Sequence, residues 1–138
     1  MAEEILVKET LTEEMKQDGA ALTRSLDEAG WPVIASFWYY DDDFNRWKLM
    51  LVSPRVSTDG STKAYLAVIH ALDSLGQSRM ILNHITAIEP DHPLVTRLAS
   101  VIQTGWTIGG IPFHRQAIDG AIVEDAYLYR MTSESAAA

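Results

Sequence analysis

Two apolar runs dominate the pattern along the chain, Val33 to Tyr40 and Arg46 to Val52, and both are rich in β-branched and aromatic residues. Such residues suit a pleated, half-buried surface. Between the runs lies Asp41-Asp42-Asp43-Phe44-Asn45, whose Asx side chains readily bond their own backbone, so the chain is expected to reverse there as a hairpin. Pro32 and Pro54 bracket the unit at positions where a missing ladder donor does no harm.

Helical spacing appears on either side. Leu11, Met15, Leu22, Leu26 and Ala29 form one stripe, Thr10-x-x-Glu13 reads as a capping box, and Gly30 supplies a stop, which predicts a helix over residues 10–29. Tyr65, Ile69 and Leu72 share a face in a second helix over 61–75, ahead of Gly76. Met80 to Ile88 reads as a lone strand. Asp91 is expected to cap a third helix with Pro93 in its first turn and Leu94, Val95, Leu98, Val101 and Ile102 on its apolar face. Ile111 to Ile118 and Ala121 to Met131 then form strands joined by Asp119-Gly120, the strongest hairpin signal in the chain. The order α-β-β-α-β-α-β-β predicts an α+β fold, with a single-layer, largely antiparallel five-stranded sheet packed with three helices. One domain is expected over residues 1–131, followed by a tail, 132–138, with little to bury.

Composition narrows the function. The absence of cysteine excludes a disulfide scaffold, a thiol nucleophile and Cys-ligated metal centres. A formal net charge of −8 without any Lys/Arg cluster sets the field of the chain against a phosphate backbone, so no nucleic-acid partner is expected. No apolar run approaches the roughly 20 residues that span a bilayer, so a soluble, cytoplasmic protein without membrane contact is expected.

The candidate chemistry is sparse. Counting outward from Asp119-Gly120 places His114 opposite Asp125 and Arg115 opposite Glu124, so each cross-strand pair joins an acid to a base. Such pairs hold register; they also set a carboxylate, an imidazole and a guanidinium on adjacent strands, with Asp125 able to orient His114 as a general base and Arg115 able to bind an anion. Alternation sends Phe37 and Tyr39 to one face of the first hairpin and Trp38 and Tyr40 to the other. Either helices cover both faces, or Trp38 and Tyr40 form a binding surface. Trp106, in Gly105-Trp-Thr-Ile-Gly-Gly110, reads as a core plug or a partner anchor, since this loop leaves a helix rather than entering one and so is no phosphate loop. Asp41–Asp43 reads as a solvated turn rather than a metal loop, and neither metal nor cofactor is expected. The leading expectation is a module that binds a protein or itself, as a homodimer, through exposed aromatic and acidic sheet surface. The alternatives are a hydrolase using His114, Arg115, Glu124 and Asp125, and a small-molecule binding fold with a pocket between sheet and helices, closed by Gly105–Gly110.

Overall fold

The computed structural model describes residues 9–76 and 82–132. The elements are α1 (Glu13–Glu28), β1 (Ala35–Asp41), β2 (Arg46–Val52), α2 (Arg55–Asp59), α3 (Ser61–Leu75), a single 3₁₀ turn (Leu82–His84), β3 (Ile85–Ile88), α4 (Pro93–Val101), β4 (Ile111–Phe113), β5 (Gln116–Ile118), β6 (Ala121–Val123) and β7 (Ala126–Met131). Five strands form one sheet in the order β3-β2-β1-β7-β4, and β5 and β6 form a separate ribbon.

The α+β class matches the sequence expectation, but the sheet is mixed rather than largely antiparallel. β3 runs parallel to β2, with Leu49 beside Ile85 and Val52 beside Ile88. The cause lies in the connection. The chain leaves β2, crosses through α2 and α3 and re-enters the sheet from the same end, and a helical crossover of that length delivers a parallel strand. α2 is also a fourth helix where a turn is expected; Gly60, at φ +88°, separates it from α3.

Other boundaries shift for local reasons. Thr12, not Thr10, caps α1, its hydroxyl accepting the Met15 N–H at 3.1 Å. His92, not Asp91, caps α4, because its Nδ1 accepts the Leu94 N–H at 3.1 Å. In α3 the buried stripe is Ala64, Val68 and Ala71, while Ile69 turns outward. Small residues let this helix lie close to α1. The lone strand contracts to β3, His84 belonging to the preceding turn; Met80 and Ile81 lie outside the described residues. Thr132, expected in the tail, is buried and its N–H donates to Ile34 C=O at 3.0 Å; residues 133–138 lie outside the described residues.

Strand alternation divides the core in two. Trp38, Trp47, Leu49, Leu51, Ile85 and Tyr129 pack beneath Leu22 and Leu26 of α1 and Val68 of α3. Phe37, Met50, Val52, Ile88, Leu128 and Met131 pack against Val95 and Leu98 of α4 and against Ile118 and Val123 of the β5–β6 ribbon. We term these the proximal and distal faces. Between Ser36 and Phe37 the register with β7 slips by one residue, so Arg130 stands opposite Ser36 and Leu128 opposite Phe37. This bulge turns both Tyr129 and Arg130 toward α1. Trp38 Nε1–H donates to the Tyr129 hydroxyl at 2.9 Å, and that hydroxyl donates to the C=O of Lys16 in α1. Gly19 allows the approach: a Cβ there would lie 2.5 Å from Tyr129 Oη and 2.8 Å from Trp38 Nε1.

Candidate functional site

The C-terminal hairpin keeps the register read from its turn. Ile118 faces Ala121 and Gln116 faces Val123 in the ribbon, and Phe113 faces Ala126 in the main sheet, so the same count runs through both. The ladder breaks at His114-Arg115 and Glu124-Asp125, where the ribbon bends over the distal face. Side chains replace the missing ladder bonds. Asp125 Oδ1 accepts the Arg115 N–H at 2.7 Å, Arg115 Nε pairs with Glu124 Oε2 at 3.1 Å, and the Tyr39 hydroxyl accepts the Glu124 N–H at 3.0 Å.

The four polar residues do not share one concavity. Strand alternation sends Glu124 to the distal face, while His114 and Asp125 line a shallow depression of about 170 Å³ with Lys16 and Tyr127 on the other side. Arg115 and Glu124 therefore pin the bend, and the imidazole stands apart from them.

Trp38 and Tyr40 are buried on the proximal face, Trp38 with 1 % of its surface exposed, so they form no open aromatic patch, although Trp38 borders a small cavity on that side and Tyr40 borders the distal cleft. Tyr40 packs edge-on to Trp47, with ring centroids 5.6 Å apart. Trp106 is 38 % exposed and lies over the Arg130 guanidinium, 5.2 Å from its ring centroid. Arg130 is itself 3 % exposed and pairs with both carboxylate oxygens of Asp27, at 3.0 and 2.8 Å. Trp106 thus roofs the buried guanidinium of a half-buried ion pair. Its loop runs along β7, Thr104 N–H donating to Met131 C=O and Gly109 N–H to Tyr129 C=O.

The larger opening lies on the distal face, between the start of α4 and the ribbon: a cleft of about 640 Å³. Its floor is made by adjacent strands. Tyr39 of β1 stands directly opposite Lys48 of β2, and Met50 opposite Thr86 of β3. Leu94 and His92 form one wall, Ile122 and Glu124 the other, and Asp41–Asp43 the rim. The polar lining divides into the carboxylates of Asp41–Asp43 and Glu124, which accept, and the donors Lys48, Tyr39 and His92. Because the Tyr39 oxygen accepts the Glu124 N–H, its own hydrogen is directed elsewhere. Burial is the main cause that raises the Tyr39 pKa above its usual value, with the Glu124 and Asp41 carboxylates adding to the shift, so the phenol stays protonated at neutral pH. His92 Nδ1 is occupied by the Leu94 N–H, which leaves Nε2 as the donor nitrogen of the neutral ring. Lys48 forms no ion pair among the described residues, whereas Glu124 is held by Arg115 and Asp41 Oδ1 by the Asp43 N–H at 3.0 Å.

A second cavity, of about 250 Å³, lies on the proximal side between Met15, Trp38, Trp47 and Arg46. It falls below the roughly 300–1,000 Å³ of ordinary ligand sites, a range the distal cleft meets. Among the described residues no group of three or more His, Asp or Glu is placed to hold a metal ion, Asp41–Asp43 included, and no helix is long and apolar enough to cross a membrane.

The cleft residues Tyr39, Lys48, Thr86 and His92 are not candidates from sequence. One signal was available: Lys48 interrupts the apolar run of β2 on the face it shares with Met50. The other walls come from α4 and β6, which no local pattern brings together. Comparison with protein-family models gives no match for the chain, and no curated protein or solved structure matches it.

Proposed function

We propose that the protein is a small-molecule binding domain whose ligand occupies the distal cleft. The observation that carries this reading is a ligand-sized opening with Lys48 and the Tyr39 hydroxyl on its floor, both with donor hydrogens directed at no protein acceptor, beside the apolar surfaces of Met50, Leu94 and Ile122. Buried or half-buried donors left without partners are costly, and a ligand that accepts from them gains that difference. The hydrolase reading draws less support, since His114 and Asp125 lie on the far side of the sheet from Glu124.

The test is a library of small polar and amphipathic compounds screened by amide chemical-shift perturbation. The expected result is saturable shifts centred on Tyr39, Lys48, Thr86 and Ile122, lost in Lys48→Ala with the fold retained. Hits that map consistently to the proximal cavity, or shifts indifferent to Lys48→Ala, would overturn the assignment.

A second reading, association with a protein or a second copy, draws on Leu66 and Ile69, which are exposed one helical turn apart on α3. Light scattering at two concentrations tests it: a mass above that of one chain, reduced by Leu66→Ser with Ile69→Ser, is the expected result, and a concentration-independent single-chain mass sinks self-association.

A further inference from the structure

Resting on the distal cleft as the ligand site, we infer that its ligand is a zwitterion of the α-amino-acid class with a large apolar side chain. The cleft floor changes character row by row along β1 and β2. Asp41 at the rim stands in the row of Arg46; the next row is Tyr39 with Lys48; the next brings Met50, flanked by Thr86. Successive rows on one face of a strand are about 7 Å apart, so acid, base and apolar surface follow one another within the length of one small molecule.

Each single-charge alternative meets a repulsion that the zwitterion avoids. A plain carboxylate is drawn to Lys48 and to the Tyr39 hydroxyl, but it must pass Asp41, Asp42 and Asp43 on a chain whose net charge is −8. A plain amine is drawn to that rim, but it then lies beside the Lys48 ammonium and leaves the Lys48 and Tyr39 donors without an acceptor, Glu124 being already held by Arg115. An α-amino acid presents both charges side by side. Its carboxylate accepts from Lys48 Nζ and Tyr39 Oη–H, and its ammonium turns outward to Asp41, whose carboxylate the Asp43 N–H fixes in place. Its side chain lies over Met50 between Leu94 and Ile122. Ile122, 52 % exposed, gains cover in this arrangement. Discrimination here comes from what each wrong ligand leaves unpaired as much as from what the right one gains.

The experiment compares L-phenylalanine with 3-phenylpropionate, which lacks the ammonium, and phenethylamine, which lacks the carboxylate. Binding is read by shifts at Tyr39, Lys48 and Ile122 up to about 10 mM, where a ligand of Kd near 1 mM approaches saturation. L-Phenylalanine is expected to bind about tenfold or more tightly than either analogue, about 1.4 kcal/mol. Lys48→Gln is expected to weaken L-phenylalanine and strengthen phenethylamine, while Asp41→Asn, which keeps the turn, weakens L-phenylalanine and strengthens 3-phenylpropionate. Thermal unfolding of both variants confirms that they fold. Equal or tighter binding of either analogue overturns the ligand class. No L-phenylalanine binding, with other library compounds still bound in the cleft, also overturns the class and leaves the cleft assignment standing. Loss of all binding at cleft residues overturns both.

Discussion

Replacing Gly19 by alanine sets two effects of opposite sign against each other in one methyl group. On an exposed helix the change would stabilise by about 1 kcal/mol, because glycine is the poorer helix former. At this position the new Cβ would meet Tyr129 Oη at 2.5 Å and both Trp38 Nε1 and Tyr129 Cε2 at 2.8 Å. Ordinary van der Waals contact begins near 3.4 Å, so α1 or both rings must retreat by close to 1 Å. Overpacking of that kind costs about 1–3 kcal/mol. The retreat also stretches the relay from Trp38 through Tyr129 to Lys16 C=O, and each buried donor left without a partner adds about 1–3 kcal/mol. The net expectation is a loss of about 2–4 kcal/mol, or on the order of 10 °C in Tm for a chain of this size. Urea unfolding followed by tryptophan fluorescence would read it as a lower midpoint at constant slope. The sharper readout is the double-mutant cycle with Tyr129→Phe, which removes the closest contact. The pair should cost less than the sum of the singles by about 1 kcal/mol or more. A Gly19→Ala protein more stable than the wild type, or strict additivity with Tyr129→Phe, would refute the close approach of α1 to the sheet.

Four further outcomes follow from the same packing. Asp27→Ala leaves the Arg130 guanidinium buried with Val33 C=O as its remaining acceptor, and because Asp27 is itself a third exposed the loss should be about 2–4 kcal/mol, below the upper range for fully buried pairs; Trp106→Ala should cost about 0.5–2 kcal/mol by removing the ring over that cation, and denaturant midpoints check both. Burial raises the pKa of Tyr39 and of Tyr129, so above about pH 10 the unfolded chain releases protons that the folded chain retains, and stability falls as pH rises through the folded values; the alkaline slope of unfolding free energy should be shallower in Tyr129→Phe, and an unchanged slope would count against its burial. Asp125→Ala should free the Arg115 amide, so hydrogen exchange at Arg115 accelerates while that of Leu128 in β7 does not; parallel acceleration of both would show that the bend is not held locally.

Much of the fold is legible because its signals are local. The Asp119-Gly120 turn, with Asp119 at φ 51° and Gly120 at φ 78°, fixes the ribbon register by itself, and alternation alone sorts Phe37 from Trp38. The parallel β3 is not legible in the same way, since its direction is decided by how α2 and α3 carry the chain across the sheet rather than by any residue within it. Nor is the break in the ladder at Glu124-Asp125. Two adjacent acids in a strand read as a cross-strand pair of sites, but they serve opposite faces, one bound to Arg115 and the other to that residue's amide. The cleft is the least legible part. Tyr39 and Lys48 become neighbours through the first hairpin, yet the walls around them are contributed by helix and ribbon from later in the chain. The partner of Trp106 also escapes a sequence reading, because Arg130 owes its orientation to a one-residue bulge.

The place of β7 within the sheet has a kinetic meaning. β7 is made after every other strand, yet it lies between β1 and β4, pairing Ala35 with Met131 across most of the chain. Until it docks, β1 has a bare edge that carries Phe37 and Trp38, both of which are almost fully buried once folding is complete. Closing such a long loop comes before any reward from the contacts it permits, so refolding should be slow for a chain of this size. During that interval the bare edge is a template for a neighbouring chain, and yield on refolding should fall as concentration rises.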